Sequence, residues 1–245
     1  MLLHPPTKTK IHHLVAFGAG LQIREHVFQL MSAYPSIASI TVVNRTLNAR
    51  VTAILTDLRL RCPWLTFVAL SSADDHDGER RAMIEEAVRQ ADCICCATSS
   101  TAPLFPSEWV RPGTHVVLVG SYKPEMAEVD TALIRRARVV LVDSRGACAV
   151  EAGELLAAGV PRSAMVEVGE LLRHARNDDD EKSWAWEPDA PRIAELLSAG
   201  NGDVTIYKTV GFGAQDVAIA VATVDRAMEM GIGTIVPDFD CESDA

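Results

Sequence analysis

The sequence has no apolar run approaching the roughly 18 residues that a membrane helix needs. Its opening stretch, MLLHPPTKTK, lacks the apolar core and small-residue cleavage site of a secretory signal. Neither a membrane span nor export is expected, and the protein is read as cytoplasmic. Basic residues are in deficit: 23 Lys and Arg stand against 33 Asp and Glu, a formal net charge of −10. That balance opposes a nucleic-acid partner, because phosphate backbones are held by clustered cations. Cys93 and Cys96 have C-x-x-C spacing but lie within one apolar run, and none of the six cysteines stands near a spaced pair of histidines, so no metal site is expected. Cys93, Cys95 and Cys96 lie in the apolar run 93–97, where a free thiol behaves as a small hydrophobe in a buried strand. No internal repeat or low-complexity tract is visible.

What is present is an ordinary globular composition, 48% hydrophobic and 23% charged, on a chain of 245 residues, long enough for one or two folding units. From residue 12 onward, short apolar runs alternate with longer amphipathic ones, the pattern of βαβ units that build a parallel sheet covered on both faces. Strands are predicted at 12–17, 39–44, 65–70, 93–98, 115–120 and 138–143. Helices are predicted at 22–33, 47–61, 80–90 and 129–137, where apolar residues recur at three- and four-residue spacing. The Ala- and Leu-rich stretch 146–174 reads as helical. Residues 175–191, with Asp178, Asp179, Asp180 and Glu181 beside Trp184 and Trp186, read as a solvated loop. A helix at 192–198, a strand at 204–207, a turn to Gly213 and a long last helix with the apolar face Val217, Val221, Val224 and Met228 complete the chain. The fold class is therefore α/β, a Rossmann-type doubly wound sheet.

The first predicted strand runs directly into Gly18, Ala19, Gly20, Leu21 and Gln22, and a helix follows. Gly18 permits a tight turn. Gly20 lets backbone N–H groups approach a pyrophosphate that the positive end of the helix dipole also attracts. Ile23 departs from the pattern, since a small residue there would allow closer packing of helix on strand. The next strand ends in Asn44, Arg45 and Thr46, where the adenosine ribose of a dinucleotide would lie. An acid at that place bonds the ribose hydroxyls and repels a 2'-phosphate, whereas neutral Asn44 with cationic Arg45 accommodates one, so NADP(H) is expected over NAD(H). A further set, Thr98, Ser99 and Ser100 after the fourth strand and Val119, Gly120 and Ser121 after the fifth, occupies strand tips where ligands of open α/β sheets bind. Its hydroxyls suit the ribose and carboxamide of the nicotinamide half. His12, His13 and His115 fall at strand starts and are read as packing or exposed residues.

In order along the chain, GAGLQ, VVNRT, ADCICCATSSTAPLF, PGTHVVLVGSYKPEMAEVD, VVLVDSRGACAVEAGEL and VTIYKTVGFGAQDVA resemble the ornithine cyclodeaminase and mu-crystallin family over residues 14–236. The resemblance implies a homodimer whose subunits pair a Rossmann domain with a second domain that binds a small cyclic imino acid or amino acid. It implies cofactor contacts from Leu21, Gln22, Asn44, Arg45 and Thr98. Thr209 would close the cofactor site, with Val210 and Gly211 on the substrate side. Gln215 and Asp216 match the family's last turn, and Asp216 alternatively caps the last helix. Two departures bear on activity. Where cyclodeaminases carry an aspartate that assists deamination, this chain has Tyr122, whose phenol, with a pKa of about 10, is a poor base near neutrality. That favours the branch reducing cyclic ketimines with NAD(P)H, with a cyclodeaminase or a noncatalytic NADP(H)-binding protein as alternatives. Only residues 1–11 precede the first strand, so much of the substrate domain is expected to be missing. The domain expectation is a tail at 1–11, a Rossmann domain at 12–200, and a C-terminal strand, turn and helix at 201–245 that completes the site or packs on the substrate domain.

Overall fold

The computed structural model describes residues 10–73, 78–176 and 184–236. Two compact units divide after Val210. In the first, β1 (His13–Phe17), α1 (Leu21–Ala33), β2 (Ser39–Asn44), α2 (Ala49–Arg61), β3 (Thr66–Ser71), α3 (Glu79–Gln90) and β4 (Cys93–Cys96) make one half of a doubly wound sheet. The other half comprises β5 (His115–Leu118), α4 (Thr131–Arg135), β6 (Ala137–Val142), α5 (Arg145–Glu151), α6 (Gly153–Ala158) and β7 (Met165–Glu167). A hairpin of β8 (Leu172–Arg176) and β9 (Trp184–Pro188), then α7 (Ala190–Ala199) and β10 (Val204–Lys208), complete the unit.

The eight-stranded sheet has the order β3-β2-β1-β4-β5-β10-β6-β7, and every pairing is parallel. The chain runs from β1 outward through β2 and β3, then crosses to β4 on the other side of β1. The switch of direction therefore falls between β1 and β4, where adjacent loops leave in opposite directions and open a crevice. Strand alternation divides the core between the two faces. Val15, Phe17, Ile94 and Cys96 pack with Ile84 and Val88 of α3, whereas Leu14, Ala16, Cys93 and Cys95 pack with Ile23 and Val27 of α1 and Ile54 and Leu58 of α2. Burial on both faces explains why β1, β4 and β5 are almost uniformly apolar.

Two expectations are corrected. The stretch 146–174 is α-helical only as far as Ala158; beyond it come short 3₁₀ turns at Arg162–Ala164 and Val168–Leu171, together with β7 and the start of β8. Within 175–191, residues 175–176 and 184–188 belong to the paired strands β8 and β9, and Asp178 to Glu181 lie outside the described residues. The Ile11 side chain is 1% exposed in the α1 face of the core. In addition, β10, which falls within the expected 201–245 segment, lies inside the sheet between β5 and β6.

The second unit contains α8 (Gly213–Met230), which ends on left-handed Gly231; the Gly231 N–H bonds Ala227 and Met228 carbonyls. Asp216 stands in its first turn. Among the described residues no helix is long and apolar enough to cross a membrane.

Candidate functional site

At the carboxyl ends of β1, β2 and β4 the crevice is a cleft of about 640 Å³. Its floor is the β1–α1 turn. The Gly18 N–H bonds the Val43 carbonyl at 2.8 Å, and Gly18 takes φ of 113°, a conformation that favours glycine. A β carbon at Gly18 would lie 2.8 Å from the Ala97 carbonyl oxygen, so the turn is pressed against the tip of β4. At Gly20 a β carbon would meet nothing within 4 Å. Gly20 therefore presents bare backbone to the cleft at the start of α1, which has no side-chain cap and no acid in its first turn. An uncapped helix start and open space above a glycine backbone fit an anionic diphosphate. Ile23, in place of a smaller residue, is fully buried beneath this turn.

One wall comes from the β2–α2 connection. Asn44 donates from Nδ2 to the Thr46 carbonyl at 2.8 Å. The Ser71 hydroxyl and Ala73 N–H both bond the Arg45 carbonyl, holding the turn. Asn48 caps α2 by accepting from the N–H groups of Arg50 and Val51, which puts Arg50 in the first helical turn. Arg45 and Arg50 both line the cleft and are exposed, and among the described residues neither guanidinium makes an ion pair. Arg50 was missed in the sequence, where it reads as a solvent-facing helix residue. Its signal was the Asn48 cap, which turns the start of α2 toward the tip of β2.

The opposite wall is the tip of β4: Ala97, Thr98, Ser99 and Ser100. Gly18, Ala19, Gly20, Asn44, Arg45, Thr46, Thr98, Ser99 and Ser100 thus share one cleft. Leu21 and Gln22 are exposed residues of the first turn of α1 and are not among the lining residues. Val119, Gly120, Ser121 and Thr209 lie behind or beside the cleft at the tips of β5 and β10. Val210 donates its N–H to Asp143, as does the Thr209 hydroxyl, while Gly211 begins the second unit.

Behind the β4 wall is a buried polar cluster that no local motif announced. Ser121, Glu128, Glu154 and Lys208 are each at most 1% exposed. The Lys208 ammonium donates to the Ser121 hydroxyl at 2.8 Å and lies 3.6 Å from Glu154 Oε1, while the Ser121 hydroxyl donates to Glu154 Oε2. Glu128 accepts from Thr98 and Gly120. Burial pushes its carboxyl above the ordinary 4.5, against the opposing effects of those hydrogen bonds and of Lys208. Of the histidines, His13 bonds Ser39 and the buried His115 bonds Thr205, both away from the cleft. Burial raises the Cys93 thiol to about 12 and those of Cys95 and Cys96 well above the ordinary 9.0.

A parallel sheet with a glycine turn at its switch point defines a Rossmann-type domain. The chain belongs to the ornithine cyclodeaminase/mu-crystallin family, whose sequence profile matches residues 79–231, more than half of its length. It is 30% identical over 199 residues to the ketimine reductase mu-crystallin of Mus musculus, covering 81% of this chain and 56% of that protein. It is 31% identical over 156 residues to a Δ(1)-pyrroline-2-carboxylate reductase of Bacillus cereus, covering 60% of this chain and 41% of the other. The chain thus spans about half the length of these relatives. The fold is shared with the Δ(1)-pyrroline-2-carboxylate reductase of Thermococcus litoralis, solved with NADH and L-proline. That likeness has a TM-score of 0.67 at 20% identity, over 94% of this chain and 62% of the other.

Proposed function

We propose that this chain is the cofactor-binding part of a reductase that transfers hydride to the C=N carbon of a small cyclic imino acid, with NADP(H) preferred over NAD(H). The observation that carries the cofactor reading is the cleft at the switch point, where an uncapped helix start, two exposed arginines and a hydroxyl-lined strand tip meet. Gly18 to Gly20 and the first turn of α1, including the Leu21 and Gln22 backbone, would hold the pyrophosphate. Arg45 and Arg50 would take the 2'-phosphate, with no acid at the Asn44 position to oppose it. Thr98, Ser99 and Ser100 would meet the nicotinamide nucleoside, backed by Val119, Gly120 and Ser121, with Thr209 beside it. When bound, the nicotinamide supplies the hydride, and the protein supplies position and a site closed to water.

The reaction is supported by the two curated relatives, both named as reductases of C=N compounds. Tyr122 supports the same reading over cyclodeamination. It is 50% exposed at the tip of β5, its ring faces the Lys123 ammonium 5.6 Å from the centroid, and it offers no carboxylate. Monitoring NADPH consumption with a panel of five- and six-membered cyclic imino acids tests the reaction. Turnover is expected. A folded, NADPH-bound protein inert to the whole panel contradicts it and leaves a noncatalytic cofactor-binding role. The homodimer and cytoplasmic location belong to the same proposal; a monomer by light scattering at micromolar concentration would remove the first.

A further inference from the structure

Glu128 is fully buried, although it lies in the connection between β5 and α4, and it bonds the tips of two adjacent strands with both carboxylate oxygens. Oε1 accepts from the Thr98 N–H at 2.6 Å and from the Thr98 hydroxyl at 2.9 Å, while Oε2 accepts from the Gly120 N–H at 2.7 Å. A threonine hydroxyl has one proton to give and two lone pairs. Here the proton is directed at Glu128, and the Ser100 N–H donates to the same hydroxyl oxygen at 3.3 Å. One lone pair is left open, on a residue that lines the cleft. At that position Thr98 can accept a hydrogen bond and cannot give one. The bridge has no slack, because a β carbon at Gly120 would lie 2.4 Å from Glu128 Oε1 and 1.9 Å from the Thr98 carbonyl oxygen.

We propose that Glu128 is a positioning residue that holds Thr98 as an acceptor-only group, and that Thr98 receives the carboxamide N–H of the nicotinamide. This rests on the dinucleotide reading above and specifies one contact within it. With the adenosine at Asn44 and Arg45 and the pyrophosphate at the glycine turn, the tip of β4 is left for the nicotinamide nucleoside. In that half of the cofactor, phosphate oxygens only accept and ribose hydroxyls serve in either sense. The carboxamide amino group is the obligate donor that an acceptor-only oxygen selects. A glutamine at position 128 can donate to Thr98 instead of accepting from it, which frees the Thr98 proton toward the cleft and removes the selection.

The test is the ratio of dissociation constants for NADP⁺ and its 3-acetylpyridine analogue, in which a methyl group replaces the amino group. Loss of one neutral hydrogen bond, which weakens NADP⁺ and not the analogue, predicts a rise in that ratio of about two- to tenfold in Glu128→Gln and in Thr98→Val. Thr98→Ser, which keeps the hydroxyl, should retain the wild-type ratio. Binding of 2'-phospho-ADP-ribose, which lacks nicotinamide, should stay within about twofold of wild type throughout, a pattern that general loss of structure would not produce. An unchanged ratio in folded Glu128→Gln overturns the role of Glu128. Should that variant fail to fold, an unchanged ratio in Thr98→Val overturns the proposal. A wild type that binds no dinucleotide and no 2'-phospho-ADP-ribose rejects the cofactor reading itself, whereas binding of all three with no effect of these variants rejects this contact alone.

Discussion

Lys208→Met should be the most damaging single change that touches no wall of the cleft. The ammonium is fully buried, lies 3.6 Å from Glu154 Oε1, and bonds the Ser121 hydroxyl. At an effective dielectric of about 20, two unit charges at that separation attract by about 4–5 kcal/mol. Removing one partner of a buried pair strands the other, a loss of about 3–5 kcal/mol that agrees with the direct sum. That is a large part of the roughly 5–15 kcal/mol by which domains are stable. The loss should be read as a lowered urea midpoint with unchanged slope. Pairing it with Glu154→Gln removes the stranded charge, so the double variant should recover most of the loss, giving a coupling energy of a few kcal/mol. A single variant within about 1 kcal/mol of wild type, or no recovery in the double variant, would refute the reasoning.

Gly120→Ala would drive a β carbon into the Thr98 carbonyl oxygen and Glu128, so stability should fall by about 1–3 kcal/mol; an unchanged melting temperature contradicts the tight apposition of the β4 and β5 tips. Thiol-specific alkylation of the native protein should spare Cys93, Cys95, Cys96 and Cys148, whose thiols are buried and held above their ordinary range, and should reach half-buried Cys62; labelling of the strand cysteines without unfolding counts against the core as described. Burial raises the Glu128 carboxyl above 4.5, so the folded state holds that proton more tightly than the unfolded chain does. Its contribution to stability is full below the unfolded value and declines as pH rises through the folded one. The stability of wild type relative to Glu128→Gln should therefore fall as pH rises from about 4 toward neutrality, and a difference that grows contradicts the assignment.

The doubly wound half of the fold was legible because each strand there is buried on both faces and each helix keeps one apolar face, so local periodicity reports the tertiary position. β2 was read at its observed bounds, and the glycine turn and NRT segment line one cleft. Three things were hidden for physical reasons. The three residues of β7 sit inside an Ala- and Leu-rich stretch and gain strand character only by pairing with β6. β10 looks from the sequence like an isolated C-terminal strand, and only pairing across dozens of residues places it between β5 and β6. The cluster of Ser121, Glu128, Glu154 and Lys208 draws on three separate segments, the β5–α4 connection, α6 and β10, and charged residues in such segments ordinarily read as solvated. Arg50 was missed for the same reason, since only the turn between β2 and α2 brings it beside Arg45.

The most direct test of the central claim is a fluorescence titration of the purified chain with NADPH and with NADH, repeated on Arg45→Ala and Arg50→Ala. Wild type should bind NADPH more tightly. Each exposed arginine should contribute about 1–2 kcal/mol to the 2'-phosphate, so each variant should lose about five- to thirtyfold in NADPH affinity while NADH is little changed. Equal affinity for the two cofactors in wild type and in both variants would contradict the 2'-phosphate assignment, and a folded protein that binds neither would contradict the cleft as a dinucleotide site.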